Sequence, residues 1–172
     1  MIETLAALLF AHALADFVFQ TNWMVRNKRR VKGVALHGLV VLATALAATG
    51  SVALSLVWLA AIHMAIDALK ARAPQSVGPF LLDQAAHLVS LAALALWQPG
   101  LWATGLWAGL TPLPAILLVL AGGILATRAG GFAIGMLMGH FADRLPREVT
   151  AESLPGAGRV IGHLPRRLPQ RT

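Results

Sequence analysis

The sequence predicts an all-α fold: a polytopic transmembrane helical bundle of about five spans, with a short interfacial helix on the cytoplasmic face. Three observations carry this expectation. Of 172 residues, 58% are hydrophobic and only 12% charged, against about 25% charged for a soluble domain. Apolar stretches recur at lengths near the roughly 20 residues that a helix needs to cross hydrocarbon. All fourteen Lys and Arg residues fall on one side of a five-span arrangement. Such a chain cannot cover a water-facing surface without large apolar patches, so lipid is the solvent its faces imply.

The first span is expected over residues 2–20, the second over 33–49, the third over 52–69, the fourth over 79–97 and a short fifth over 112–127. Gly50-Ser51 ends the second. The stretch 98–111 is apolar but broken by Pro99, Gly100, Gly105 and Gly109. Trp97, Trp102 and Trp107 recur there every five residues, which is no helical period, and Trp near a span end usually sits at headgroup level. This segment reads as an interfacial loop. Glu3 and the lack of Lys or Arg before the first span remove the cationic start of a cleavable signal, although AHALAD at 11–16 imitates a cleavage site.

Orientation follows from the basic residues. Arg26, Lys28, Arg29, Arg30 and Lys32 follow the first span, and Lys70 and Arg72 the third. Arg128 follows the fifth, and six more Arg lie C-terminal to it; the loops at 50–51 and 98–111 carry none. The positive-inside rule then places the N-terminus outside and the C-terminus in the cytoplasm. The expected organisation is a transmembrane domain over 1–145 and a basic Pro/Arg-rich cytoplasmic tail over 146–172.

Residues 129–142 are apolar but too few to span, and are expected on the cytoplasmic face. Gly131, Gly135 and Gly139 repeat there every four residues, a pattern for close helix packing within the monomer or in a homo-oligomer. His140, Asp143 and His163 read as solvated. Gly156-Ala-Gly158 lacks the Lys and the preceding strand of a phosphate loop. No aromatic residues interleave the tail's charges, so no nucleic-acid partner is expected. The absence of cysteine excludes disulfides, thiolate nucleophiles and sulfur-ligated metals, and no Ser-centred nucleophile motif occurs.

The chemistry concentrates in the spans. Of seven acidic residues, Asp16, Asp67 and Asp83 lie in apolar stretches, as do His12, His37, His63 and His87 among six histidines. An Asp at a span centre costs about 2.5–3.5 kcal/mol on insertion, so these groups need partners. His12 and Asp16 share one helix face four residues apart, His63 and Asp67 repeat the arrangement, and Asp83 and His87 reverse it. Reversal is what an antiparallel helix needs to present the same groups at the same depth. In the five-span arrangement all seven fall in one slab, a turn or two below the cytoplasmic surface. His12, Asp16 and His37 are echoed by His63, Asp67 and His87 at offsets of 51, 51 and 50 residues. The two hairpins therefore suggest a pseudo-two-fold axis along the membrane normal, with a site at the repeat interface. Asp83 has no counterpart, because Gly33 stands in the equivalent place.

Four His and three Asp suit one or two divalent metals such as Zn, Mn or Fe, and two metals would share a bridging Asp. A structural polar network and an ion or proton path use the same residue types. Three functions therefore stay open. The first is a metal-dependent hydrolase of an ester or phosphoester, with Asp16, Asp67 and Asp83 as candidate catalytic carboxylates. In it, Arg26, Lys28, Arg29, Arg30, Lys70 and Arg72 would hold an anionic headgroup of a phospholipid or polyprenyl phosphate. The second is transport of a divalent cation or proton, to which the outer halves of the spans offer only Thr44, Thr49, Ser51, Ser55 and Ser90. The third is a noncatalytic membrane scaffold.

The segments AHALADFVFQTNWMVRNK, His37, IHMAIDALK and FLLDQAAHL resemble the bacterial membrane family labelled domain of unknown function 3307, over about residues 5–90. GAGRVIGHL at 156–164 looks like its next motif. The resemblance implies that His12, Asp16, Gln20, His37, His63, Asp67, Lys70, Asp83 and His87 occupy the family's motif positions. It implies a multi-pass protein of the bacterial inner membrane, and the His/Asp-bearing spans are more loosely similar to predicted membrane-bound metal-dependent hydrolases.

Overall fold

The computed structural model describes residues 1–142. Their regular structure is wholly helical: α1 Ile2–Phe17, α2 Asn22–Arg26, α3 Val31–Thr49, α4 Leu54–Lys70, α5 Val77–Trp97, α6 Leu113–Ile124 and α7 Gly130–Ala142. By contacts the chain divides into Met1–Leu137 and Met138–Thr172. The helical fold was expected, and its first four long helices begin and end within a few residues of the predicted spans. The tail, Asp143, His163 and the motif at 156–164 lie outside the described residues.

Local chemistry sets the ends. Glu3 sits in the first turn of α1, where a carboxylate favours the helix dipole. Thr21 caps α2 by accepting from Met24 N at 3.3 Å. α3 stops at Gly50, whose φ of 63° is left-handed, a conformation open to Gly at little cost. Val31–Thr49, Val77–Trp97 and the continuous stretch Leu113–Gly139 are long and apolar enough to cross a membrane.

The last of these differs from expectation. The predicted break between a fifth span and a separate interfacial helix is absent. A π-helical turn, Leu125–Ala129, joins α6 to α7, and Thr127 Oγ1 donates to Gly123 O at 2.7 Å. The wider π turn continues the helix without ending it, and the glycines that follow stay helical. Gly131 and Gly135 face open space.

α1 packs against α3 and α5, and α4 packs against the same two, closing a four-helix ring with α6 laid on α1. In this ring α1 corresponds to α4 and α3 to α5, the relation that the sequence echo implied. The ring is polar at one end of its interior and apolar outside. His37 and His87 are 1% and 0% exposed, whereas Leu82, Val89 and Val119 are each about 70% exposed. That inversion of the soluble pattern is consistent with membrane association.

The loop 98–111 is tied to the bundle end. Ser51 Oγ donates to Leu101 O at 2.8 Å, Trp102 N to Thr4 Oγ1 at 3.2 Å and Leu106 N to Gly50 O at 2.9 Å. Leu101 and Trp102 are buried, so Trp102 closes the bundle end, while Trp97 remains exposed. Behind this cap Leu8, Ala11, Ala45, Leu56, Leu59, Leu91 and Leu94 form one apolar layer.

Two glycines set close approaches. A Cβ on Gly38 would meet the Met64 side chain, and one on Gly33 would overlap the Asn27 carbonyl. Met64 is flexible and the Asn27 backbone is not. Gly33→Ala is therefore expected to destabilise the detergent-solubilised protein by about 2 kcal/mol or more, and Gly135→Ala to change it little. Paired thermal melts check this, and equal melting temperatures would sink it. The same contact explains the broken symmetry of the repeat: no carboxylate fits at position 33.

Candidate metal centre

The helices bring all seven His and Asp residues to one end of the ring. His12 and Asp16 occupy successive turns late in α1, and His37 lies near the start of α3. His63 and Asp67 lie in the last turns of α4, and Asp83 and His87 in the first half of α5. Every one of these side chains is less than about a tenth exposed. Asp16, at 7%, is the most accessible of the three carboxylates, against 3% for Asp67 and Asp83.

Four atoms converge. His37 Nε2 and His63 Nε2 stand 3.1 Å apart. Asp16 Oδ1 lies 3.4 Å from the first and 3.2 Å from the second; Asp67 Oδ2 lies 3.2 and 3.7 Å from the same two. Ligand atoms on one metal at about 2.05 Å stand about 3.3 Å apart, and the three distances among Asp16 Oδ1, His37 Nε2 and His63 Nε2 scatter around that value. Asp16 Oδ1 also makes no hydrogen bond despite its two imidazole neighbours.

A second group adjoins it. The rings of His12 and His87 lie 5.1 Å apart, and His63 and His87 stack at 4.0 Å. Both ring nitrogens of His12 and of His87 are buried without a hydrogen-bond partner in the protein, as is Asp83 Oδ1, which lies 3.6 Å from His87 Nε2. Ligand atoms of His12, His63 and His87 all lie within 4.8 Å of one another, and so do those of Asp67, Asp83 and His87. An unpaired buried polar group costs about 1–3 kcal/mol, so a purely hydrogen-bonded network leaves this cluster poorly satisfied. The residues present fit a divalent metal.

The outer oxygens are held by lysines. Lys28 Nζ donates to Asp67 Oδ1 at 2.8 Å, and Lys70 Nζ to Asp83 Oδ2 at 2.6 Å. Lys70 also lies 5.1 Å from the centre of the Phe80 ring. Three carboxylates and two ammonium groups leave one net negative charge in a nearly closed space, which a divalent cation complements.

The basic residues read from sequence as one ring separate into groups. Lys28, Arg29, Arg30 and Arg72 line a single groove. Arg26 instead donates to Asn22 O within α2, and Lys70 serves Asp83. Two polar partners were not singled out as ligands from sequence. Gln20 Nε2 lies 3.2 Å from His37 Nε2, and Gln84 Nε2 donates to Asp83 Oδ2 at 3.1 Å. A Gln inside an apolar span was the available signal for Gln84.

The family model described as protein of unknown function (DUF3307) matches residues 4–106. The chain belongs to this family. No curated protein and no solved structure matches it. The DUF3307 match covers nearly all of the four-helix ring and the first part of its capping loop, and contains all seven His and Asp residues, Lys28 and Lys70. It stops before α6. The family description assigns no activity, so the chemistry rests on the geometry.

Proposed function

We propose that this protein is a membrane-embedded, metal-dependent hydrolase acting on an ester or phosphoester of a lipid-like substrate. The observation that carries the reading is the close approach of buried ligand atoms from Asp16, His37 and His63, with Asp67 beside the same two imidazoles. A divalent metal such as Zn, Mn or Fe held there would supply Lewis acidity and lower the pKa of a bound water to about 7. Asp16 approaches the two imidazoles through Oδ1 and, as the most accessible carboxylate, is the general base. A second metal would be held by His12, His87 and Asp83. One divalent cation turns the local charge from −1 to +1 and a second makes it more positive, so an anionic substrate group is favoured.

The five-span topology belongs to the same proposal. α1 and α4, at 16 and 17 residues, are flanked on both sides by the longer α3 and α5, which supports their crossing with them. Leu113–Gly139 crosses once, with Arg128 toward the cytoplasmic interface. The odd number of spans keeps the N-terminus outside and the C-terminus inside a bacterial inner membrane. Contact between copies through the Gly131–Gly139 face is part of the proposal.

Transport is the weaker reading. Between the site and the loop 98–111, each helix of the ring contributes to the apolar layer around Leu8, Leu56 and Leu91. The hydroxyls beyond it are engaged locally: Thr49 donates to Ala45 O at 2.8 Å and Ser55 to Gln98 Oε1 at 2.7 Å. A through-path would have to cross that layer.

The test is elemental mass spectrometry on protein purified in mild detergent without chelator or His-tag, followed by hydrolysis assays on phosphatidic acid and a polyprenyl phosphate. One or two equivalents of metal and a chelator-sensitive hydrolysis are expected. Absence of metal even after reconstitution with Zn, Mn or Fe would sink the proposal.

A further inference from the structure

The groove of about 780 Å³ between the start of α3 and the end of α4 combines two surfaces. Lys28, Arg29, Arg30 and Arg72 supply its basic side, and no acidic residue lines it. Val34, Met64 and Ala68 supply an apolar floor. Arg29 Nε donates to Ala71 O at 3.1 Å, which fixes the side chain and leaves its terminal nitrogens for an anion. Planar guanidinium groups suit phosphate oxygens. A soluble anion needs no apolar floor, whereas a lipid needs both surfaces. Val31, beside the groove, is almost fully exposed.

Lys28 belongs to both places. It lines the groove and donates to Asp67 Oδ1, while the other oxygen of that carboxylate lies beside His37 and His63. Its ammonium and a divalent cation repel each other across that carboxylate. A phosphate in the groove offers the ammonium another partner.

We propose that the groove binds the phosphate headgroup of an anionic lipid, and that this phosphate draws Lys28 from Asp67, so that headgroup and metal strengthen each other's binding. The coupling half rests on the metal reading above; the headgroup half does not. Linkage requires the effect to be reciprocal. Lys28 thereby acts as a positioning residue between substrate and metal.

Two measurements on full-length protein test it. Native mass spectrometry of metal-free protein, exchanged into phosphatidic acid/phosphatidylcholine mixtures, is expected to show retained phosphatidic acid, and Arg30→Gln/Arg72→Gln to lose it. Equal retention by the variant overturns the headgroup site, whether or not metal binds. Zn affinity is then measured in nanodiscs of phosphatidylcholine, with and without phosphatidic acid. Wild type is expected to tighten about 10-fold with phosphatidic acid. Lys28→Met is expected to bind Zn more tightly than wild type in phosphatidylcholine and to gain nothing further. Equal tightening in both proteins means surface attraction alone and overturns the coupling. So does an equal gain from inorganic phosphate, which would make the ligand a free anion. Retained lipid with no Zn bound in any membrane overturns the coupling and the metal reading together, while leaving the headgroup site supported.

Discussion

Replacing His37 and His63 together by Ala is expected to remove the bound metal and reduce hydrolysis to background while the bundle stays folded. Both imidazoles bring Nε2 into the cluster, 3.1 Å apart, so the double variant deletes two of the proposed ligands. Loss of a group that merely orients a ligand typically costs about 10–100-fold in metal affinity. Loss of two ligands is therefore expected to exceed that range, on the order of 1,000-fold or more. The folding cost is partly offset. The variant vacates space around two buried rings, but it also removes buried polar groups, one of which, His37 Nδ1, has no partner. Circular dichroism and the chelator response of the melting temperature separate the two effects. Wild type should lose stability on chelation, because a ligand bound only by the folded state stabilises it; the variant should not respond. Asp16→Asn preserves shape and removes one charge, and is expected to fall between them. Retained metal in a folded His37→Ala/His63→Ala protein would overturn the assignment of these ligands.

The four long helices were legible because apolar length is a strong signal in a lipid-facing chain. The site was legible for a related reason. A His or Asp is costly in such a helix, so residues spaced four apart, with the order reversed on an antiparallel partner, had few arrangements that could satisfy them. The structure brings the seven side chains together at one end of the ring. The continuous helix through Leu113–Gly139 was hidden because Arg128 and the Gly130-Gly131 pair imitate an end, and a π turn leaves no periodic trace. Lys28 was indistinguishable within a charge run that topology alone explains. Its contact with Asp67, 39 residues away, depends on how the α2–α3 connection folds back. That turn rests on the Gly33–Asn27 approach, a backbone fit without hydropathic signature.

His12 and His87 give the last expectation. The sequence echo pairs α1 with α4 and α3 with α5, and therefore pairs His12 with His63, His37 with His87 and Asp16 with Asp67. Applied to the cluster of Asp16, His37, His63 and Asp67, it gives a second position at His12 and His87 beside the same two carboxylates. That position is where all four ring nitrogens lack partners and where Asp83, the acid without a counterpart in the first hairpin, adds an oxygen. Wild type saturated with Mn is expected to hold two equivalents, about 3.5–4 Å apart, and to give the electron paramagnetic spectrum of an exchange-coupled pair. His12→Ala/His87→Ala is expected to hold one equivalent, with the spectrum of an isolated ion, whereas His37→Ala/His63→Ala should hold at most one, weakly. The two pairs are not equivalent, because His63 also borders the second position while His12 stands farther from Asp16 Oδ1, at 3.8 Å. A single equivalent in wild type, unchanged on removing His12 and His87, would make those residues a polar lining around a mononuclear centre. The asymmetry introduced by Gly33 and Asp83 would then be what restricts the duplicated hairpins to one metal.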